Sequence, residues 1–354
     1  MGIVIREAEL PADRGILLDT LLRNRSQADN ALRQARFEWS LAGNPYGKPR
    51  AWLAMDESSG KVIGSVSAFP RRVLINGKPA LAWNGGDTSI DQQFRTLAPA
   101  LKLRRAIKEC VDRGEMRFLY SHPVDRMRAV LEKVGHIVIG KLARHGVILR
   151  FDRFAQNAVG GNFFATTLAR AANPLLQAWS WRGNLAHRNG AAVRLQTENR
   201  FGDEYDALFE GAAKNHPVIS ERSAQFLAWR FSQNPLHRDW RIFRLEAENR
   251  LRGYAVVDFT GDGARILDFL VEDQAGDLGT LLIGVIRELR PKGICSVSVR
   301  ANDHNPILSL LRSFGPTSLD TVNSGIAIHA SADESDRIVL NDSNWFMTQA
   351  DRDN

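Results

Sequence analysis

The sequence contains little cysteine. Its two cysteines, Cys110 and Cys295, each lie in an apolar run, which predicts two buried thiols and excludes a disulfide framework or a cysteine zinc site. His216, His237 and His304 lack the spacing of metal ligands, and the chain has neither a Gly-Lys-Ser phosphate loop nor a nucleophile elbow. We therefore predict no metal site, and we find no motif for nucleotide hydrolysis or serine hydrolase chemistry.

Long hydrophobic runs are also missing. No apolar run approaches the roughly 18 residues that a membrane-spanning helix requires, and the start of the chain, MGIVIREAEL, is too acidic for the core of a signal peptide. These two absences predict a cytoplasmic protein without a transmembrane segment.

The charge is moderately positive, at +7, but the lysines and arginines are scattered as singles and pairs. Such a distribution favours a solvated basic surface over a nucleic-acid footprint, and it is compatible with a basic cleft for a polyanionic small molecule. The chain of 354 residues, with 44% hydrophobic and 25% charged residues, is long enough for two ordinary globular domains.

One stretch, from Gly86 to Val111, combines a short strand (Thr88 to Ile90), a loop with Arg95, and a helix that opens around Pro99. Proline suits a first helical turn because its missing N–H would have no partner there. Small residues flank it, and apolar residues then recur at helical spacing as far as Val111. An uncrowded helix start with unpaired N–H groups predicts an anion site, and we expect a pyrophosphate to bind there.

The chain also contains an internal repeat. Trp39 is followed after five residues by Asn44-Pro45, and Trp229 is followed after five residues by Asn234-Pro235. Strand-like runs and two helices follow each copy in the same order. This recurrence predicts two similar α/β domains, each with a mixed β-sheet flanked by helices, at residues 1–151 and 191–354, joined by a helical connector at 152–190.

Between the first tryptophan and the Gly86 stretch, Asn76-Gly77 separates two apolar runs, Arg71 to Ile75 and Pro79 to Trp83. Asn-Gly in this setting is a strong signal for a two-residue β-hairpin. We therefore predict a hairpin there, followed by the separate short strand at Thr88.

The sequence IDQQFRTLAPA, from Ile90 to Ala100, resembles the acetyl-CoA-binding motif of the GNAT N-acyltransferase superfamily, roughly V-x-P-x-Y-R-x-x-G-x-G/A. Arg95 matches, Phe94 is close to the tyrosine, and Ala98 replaces a glycine. The order of helices and strands is also similar, so the chain resembles a tandem GNAT protein outside the connector. The second copy departs from the motif: it reads EDQAGDLGTLL and has no arginine in place of Arg95, which predicts a degenerate domain without cofactor binding.

The resemblance implies acetyl-CoA, or another acyl-CoA, as co-substrate. It implies that the strand at Ser89 and Ile90 bonds the pantetheine arm and that Arg95 adds charge beside the pyrophosphate. The backbone that would hold the pyrophosphate comprises Thr96, Leu97, Ala98, Pro99 and Ala100.

Transfer of an acyl group to an amine requires a base and a donor for the leaving thiolate. Asp87 is our first candidate for base or amine anchor, and a turn-capping aspartate is the alternative. His122 is a second candidate, at the expected mouth of the cleft, or else a loop histidine. Many GNAT enzymes place a tyrosine acid where this chain has Leu131, and Tyr120 is the substitute that we consider.

The sequence thus predicts an acyl-CoA-dependent N-acyltransferase that acts on a primary amine of a small molecule, such as an amino sugar or a surface-glycan precursor. Two alternatives remain open. One is a non-catalytic binding or regulatory protein on a decayed GNAT scaffold, and the other is a peptidyltransferase-like enzyme that uses aminoacyl-tRNA. The repeated tryptophans favour packing over catalysis, because both halves keep them although only one keeps the motif.

Overall fold

The computed structural model describes residues 2–25, 29–151, 173–174, 192–196, 198–236, 239–322, 324–331 and 333–352. Apart from residues 173–174, the predicted connector lies outside the described residues. The first half contains the helices α1 (Arg14–Arg23), α2 (Asn30–Ala42), α3 (Leu97–Asp112) and α4 (Asp125–Val134), and the strands β1 (Ile3–Glu7), β2 (Arg50–Asp56), β3 (Val62–Ile75), β4 (Lys78–Ile90), β5 (Phe118–Ser121) and β6 (Ile137–Ile148).

The second half repeats this order. Its helices are α5 (Glu204–Ala212), α6 (Ala224–Leu227, continued by a π-turn over Ala228–Ser232), α7 (Asp277–Leu289) and α8 (Ile307–Phe314). Its strands are β7 (Ala192–Leu195), β8 (Val218–Ser220), β9 (Trp240–Ala247), β10 (Arg250–Thr260), β11 (Gly263–Val271), β12 (Ser296–Asn302), β13 (Thr317–Asp320), β14 (Gly325–Ala330) and β15 (Trp345–Phe346).

The strands form one mixed sheet in the order β1-β2-β3-β4-β5-β14-β6-β12-β11-β10-β9-β7, with β13 beside β6 and β8 joining β3 to β15. Most neighbours are antiparallel. The pairs β4–β5 and β11–β12 are parallel and occupy equivalent places in the two halves. A mixed sheet flanked by helices confirms the predicted fold class.

The two halves exchange strands. Strand β14, which belongs to the second half by sequence, lies between β5 and β6. The first part of β6 pairs with β14, whereas its second part, from Leu142 onward, pairs with β12 and β13. Each half therefore completes the sheet of the other, so backbone hydrogen bonds join the two copies.

The repeated tryptophans meet where the two halves join. The rings of Trp39 and Trp229 stack at a centroid distance of 4.5 Å, and the Trp39 indole N–H donates to the Trp229 carbonyl oxygen at 2.9 Å. The Arg71 guanidinium lies over the Trp229 ring. These contacts show the two tryptophans packed against each other across the junction of the repeat.

Around the Asn-Gly turn, one local prediction is confirmed and one is wrong. The hairpin at Asn76-Gly77 is confirmed, because both residues have positive φ angles (48° and 74°) and Ile75 pairs with Lys78. The prediction of separate strands at Pro79 and Thr88 is wrong, since β4 continues through both. A bulge absorbs the extra residues, and Asp87 at its centre has a φ of 49°.

Candidate functional site

The candidate site lies where the pairing between β4 and β5 ends, and we call this place the crevice. These parallel strands pair at Trp83–Leu119 and Asn84–Tyr120, although β4 continues to Ile90 and β5 ends at Ser121. Beyond these residues the two strands form no further pairs among the described residues. The edge of β4 that faces β5 therefore presents backbone N–H and C=O groups that this ladder does not use.

Two buried hydroxyl groups lie on these strands beside the crevice. Ser89 on β4 and Ser121 on β5 are 3% and 1% exposed, and neither Oγ has a hydrogen-bond partner among the described residues. A buried hydroxyl without a partner costs free energy, so such groups are expected to meet a ligand or water. Ser121 Oγ lies beside Arg104 on the α3 face of the sheet, whereas Ser89 lies between Thr88 and Ile90, which both face α3, so its hydroxyl points to the other face.

A buried arginine closes the α3 side of the crevice. Arg104 lies on α3 and is 3% exposed, and its Nη2 donates to Thr88 Oγ1 on β4 at 2.6 Å. A Cβ atom added at Gly85 would lie 2.7 Å from Ser121 Oγ and 3.0 Å from Arg104 Nη1. Glycine at position 85 therefore lets β4, β5 and α3 approach one another closely.

Among the described residues, no side chain caps the N-terminus of α3. Its N-cap, Thr96, makes no side-chain capping bond, and its first turn contains no acidic residue. The side chains of Thr96, Leu97 and Ala98 are exposed, whereas Pro99 and Ala100 are buried. The backbone N–H of Thr96 already donates to the Phe94 carbonyl at 2.6 Å, so the groups left to bind an anion are those of the first helical residues.

Arg95 holds the loop that leads into α3. Its Nε donates to the Ile90 carbonyl at 3.0 Å and its Nη2 to the Asn24 carbonyl at 3.3 Å. Arg23, which is paired with Asp91, and Arg95 line a surface cavity of about 710 Å³ beside this loop. Arg95 therefore fixes the loop to β4 and α1 and adds positive charge near the helix start.

Asp87 lies on the opposite face of the sheet from Arg104. Its carboxylate forms an ion pair with Arg36 of α2, with oxygen to Nη1 distances of 2.9 and 3.1 Å, and both side chains are about 12% exposed. The left-handed backbone of Asp87 and the bulge direct this carboxylate toward α2. A carboxylate beside the crevice can bind an amine or accept a proton.

The other two catalytic candidates lie on and after β5. Tyr120 is fully buried, its OH donates to the Asp351 carbonyl at 3.3 Å, and burial raises the pKa of its phenol. The ring of His122 packs edge-on against Tyr120 at 5.9 Å. The structure thus brings Tyr120 and His122 together, places Asp87 on β4 with Arg36, and shows no contact between the two groups among the described residues.

The equivalent helix start in the second half is occupied by the chain itself. Asp277 is the first residue of α7; its carboxylate accepts from the Asp273 backbone N–H at 3.3 Å and pairs with Arg252 at 3.0 Å. The positive end of α7 is therefore compensated by an internal carboxylate. This arrangement contrasts with the open start of α3.

Sequence reasoning missed Arg104 and Ser121. Arg104 could have been noticed, because it lies in the apolar stripe of α3 between Leu103 and Ile107, where an arginine is unusual. Ser121 gave no such signal, since its importance arises from the place where β5 ends.

Among the described residues, no three His, Cys, Asp or Glu side chains cluster closely enough to act as metal ligands.

No protein-family model matches the sequence, and no curated protein matches it either. Solved structures match the fold. A probable N-acyltransferase from Enterococcus faecalis V583 aligns with a TM-score of 0.66 at 10% identity, over 93% of this chain and 72% of that one. A tandem GNAT protein from the clavulanic acid biosynthesis pathway aligns with a TM-score of 0.53 at 15% identity, over 93% of this chain and 98% of that one.

Saccharomyces cerevisiae N-myristoyltransferase, solved with bound myristoyl-CoA, aligns with a TM-score of 0.52 at 11% identity, over 99% of this chain and 84% of that one. At such low identities the likeness shows the fold. The chain has the GNAT fold in a tandem arrangement, which confirms the predicted fold. No helix in the described parts of the chain combines the length and hydrophobicity needed to cross a bilayer.

Proposed function

We propose that this protein is an acyl-CoA-dependent N-acyltransferase whose first half binds acyl-CoA in the crevice between β4 and β5. The observation that carries the proposal is the end of the β4–β5 pairing at Asn84, beside the buried hydroxyl of Ser121, which has no hydrogen-bond partner among the described residues. The amide groups of a pantetheine arm can serve as hydrogen-bond partners for the groups in this crevice that have none. The GNAT fold of the chain supports the same assignment.

The residues present fit a CoA ester at both ends. The first turn of α3, with N–H groups at Leu97 and Ala98, would hold the pyrophosphate, and Arg95 would add charge. The edge of β4 at Ser89 and Ile90, together with Ser121, would bond the pantetheine amides. Arg104, whose guanidinium carries five N–H donors, would lie beside that arm. The bound thioester supplies the acyl group.

We assign the amine-facing role to Asp87. In the transfer, a bond forms between the amine nitrogen and the acyl carbon, the carbon–sulfur bond breaks, and the amine loses a proton. Asp87 would orient the amine or accept that proton, with Arg36 holding its carboxylate in place. His122 remains a prediction as the second candidate and Tyr120 as the donor to the thiolate. To donate to the thiolate, the Tyr120 hydroxyl would first have to leave the Asp351 carbonyl.

Replacing Asp87 with asparagine tests this role. We expect Asp87→Asn to lower the rate of thiol release from acetyl-CoA, with glucosamine and other primary amines as acceptors, by about 100-fold or more. Acetyl-CoA affinity should stay within about twofold, because the side chain faces away from α3. Arg36→Gln is the control, since it removes the ion pair but keeps the carboxylate. An unchanged rate in Asp87→Asn would exclude Asp87 from the chemistry.

The acceptor belongs to the same proposal. We propose a small-molecule primary amine, such as an amino sugar or surface-glycan precursor, with the second half (191–354) shaping the acceptor side and residues 1–151 carrying the cofactor. The Asp277 carboxylate already compensates the positive end of α7, whereas α3 has no acidic residue in its first turn, and this contrast supports the division of roles. A cytoplasmic location agrees with a supply of acyl-CoA and stays a prediction from the sequence.

Calorimetric titration with acetyl-CoA tests the proposal as a whole. The wild type should bind acetyl-CoA with a micromolar dissociation constant, and Arg95→Glu should weaken binding at least tenfold by reversing the charge beside the helix start. Arg105→Glu is a matched control, because it makes the same charge change on the exposed side of α3, and it should bind nearly as the wild type does. Absence of wild-type binding would overturn the proposal and favour a non-catalytic protein on this fold.

A further inference from the structure

A second cavity, of about 300 Å³, lies in the other half of the sheet. Four arginines line it, together with Ser298, Gln349 and the apolar residues Leu236, Ile266, Leu267 and Val299. We call this cavity the arginine pocket, and its arginines are Arg144, Arg265, Arg300 and Arg352. These four side chains have no part in the acyltransferase role proposed for the β4–β5 crevice.

The sheet register explains why three of the arginines converge. Arg300 on β12 lies directly opposite Arg144 on β6, and Ser298 on β12 lies directly opposite Arg265 on β11. Residues two apart on a strand point to the same face, so Ser298 and Arg300 bring all three arginines to one face of three neighbouring strands. The turn at Gln349–Asp351 packs on β11 and β12 and adds Arg352.

Around Arg144, Arg265 and Arg300, the described residues carry more positive than negative charge. Arg265 pairs with Asp258, and Asp320 lies opposite Arg144. Arg300 donates to the Leu142 carbonyl at 3.2 Å, which neutralises no charge. Like charges placed directly opposite each other on adjacent strands destabilise a sheet. Arg144 and Arg300 are placed in this way.

The environment of Arg300 reflects this excess. Burial, followed by the positive charges of Arg352 and Arg144, lowers the pKa of its guanidinium to about 10, and Asp320 opposes this shift. An anion with more than one negative charge would relieve the repulsion. The cavity volume is at the lower end of the range that small-molecule sites occupy.

We propose that the arginine pocket binds the phosphate group of a phosphorylated small molecule. Guanidinium groups pair with phosphate through two parallel hydrogen bonds, which favours arginine over lysine at such sites. A phosphate monoester carries about −1.5 to −2 charges at neutral pH, whereas a carboxylate carries one. The apolar wall formed by Leu236, Leu267 and Val299 would contact the organic part of the ligand.

Titration calorimetry with inorganic pyrophosphate as the probe tests the pocket. The predicted acyl-CoA site at α3 could also bind pyrophosphate, so the titrations are made with the full-length protein carrying Arg95→Glu as well as with the wild type. We expect saturable binding in both. In the Arg95→Glu protein, Arg265→Gln and Arg144→Gln should each weaken binding at least tenfold.

Arg241→Gln provides a matched control. Arg241 lies on β9 of the same sheet, pairs with one aspartate as Arg265 does, and has a similarly exposed side chain (44% against 41%). Its replacement should leave pyrophosphate binding unchanged. Thermal unfolding of each variant shows whether it is folded. If Arg265→Gln unfolds because Asp258 loses its partner, the affinity of Arg144→Gln for pyrophosphate decides whether the pocket is the binding site.

Four results would overturn the inference: no saturation by millimolar pyrophosphate, equal weakening by Arg241→Gln, binding that disappears in Arg95→Glu alone, which would place the anion at α3, or succinate binding as tight as that of pyrophosphate, which would show a carboxylate site instead of a phosphate site. None of these outcomes depends on acetyl-CoA binding, so the acyltransferase proposal and this inference can fail separately.

Discussion

At the scale of single residues, the crevice depends on a missing side chain. Gly85 allows Ser121 Oγ and Arg104 Nη1 to lie within 2.7 and 3.0 Å of the point where a Cβ atom would stand. The serine is buried at the end of β5 and the arginine is held by Thr88. A methyl group at position 85 would therefore push β5 or α3 away from β4.

We predict that Gly85→Ala lowers the free energy of unfolding by about 1–3 kcal/mol, the usual cost of overpacking, and weakens acetyl-CoA binding. Urea denaturation and calorimetry measure the two effects. The second substitution Ser121→Ala removes the nearest clashing atom, so the double variant should recover part of the lost stability. A single variant as stable as the wild type would show that the crevice is less tightly packed than described.

Arg104 shows what a residue-level motif search misses. The motif from Ile90 to Ala100 directed attention to the loop and the helix start, whereas Arg104 lies one turn further along α3. Its contacts with Thr88 and its approach to Gly85 arise from packing between elements that are distant in sequence. Only the folded chain shows that this charge lies in the crevice.

At the scale of elements, periodic patterns gave reliable predictions. The helical spacing of apolar residues as far as Val111 predicted α3, which spans Leu97 to Asp112. The failure at β4 has a physical cause. Asp87 adopts a left-handed conformation that aspartate tolerates, so the strand continues through a bulge that a period-of-two pattern cannot represent.

The two equivalent helix starts differ by their first residue. Helix α3 begins with the exposed Leu97, and α7 begins with the buried Asp277, whose carboxylate bonds the backbone before the helix. The sequence already indicated this contrast through the acidic run EDQAGD. The structure adds that Arg252 fixes the carboxylate in place.

At the scale of the whole molecule, strand exchange makes the two halves interdependent. Strand β14 fills a place between β5 and β6, and β6 continues into the sheet of the second half. The sequence predicted the repeat but not the exchange, because strand partners in a duplicated fold depend on chain path instead of local pattern. The stacked pair Trp39–Trp229 explains why both copies keep their tryptophan.

A double-mutant cycle tests the role of that stack. Trp39→Leu and Trp229→Leu should each lower the free energy of unfolding, and their coupling energy should be about 0.5–1.5 kcal/mol, because offset aromatic pairs add this much beyond buried area. Urea denaturation gives the values. Trp39→Leu combined with Trp52→Leu, which lies in a different apolar cluster, should be additive. A coupling of zero between Trp39 and Trp229 would contradict the stacking role.

The central claim is that one half of this duplicated chain binds acyl-CoA at an open helix start. The most direct test is acetyl-CoA stoichiometry and affinity, measured by calorimetry for the wild type, Leu97→Asp and the neutral control Leu97→Asn. Leu97→Asp gives α3 the acidic first residue that α7 has. It should stabilise the helix by about 0.3–1 kcal/mol, since an acid favours a helix N-terminus.

We predict one acetyl-CoA per chain, binding weakened at least tenfold in Leu97→Asp without loss of stability, and binding close to that of the wild type in Leu97→Asn. Two acetyl-CoA molecules per chain, or full affinity in Leu97→Asp, would contradict the central claim.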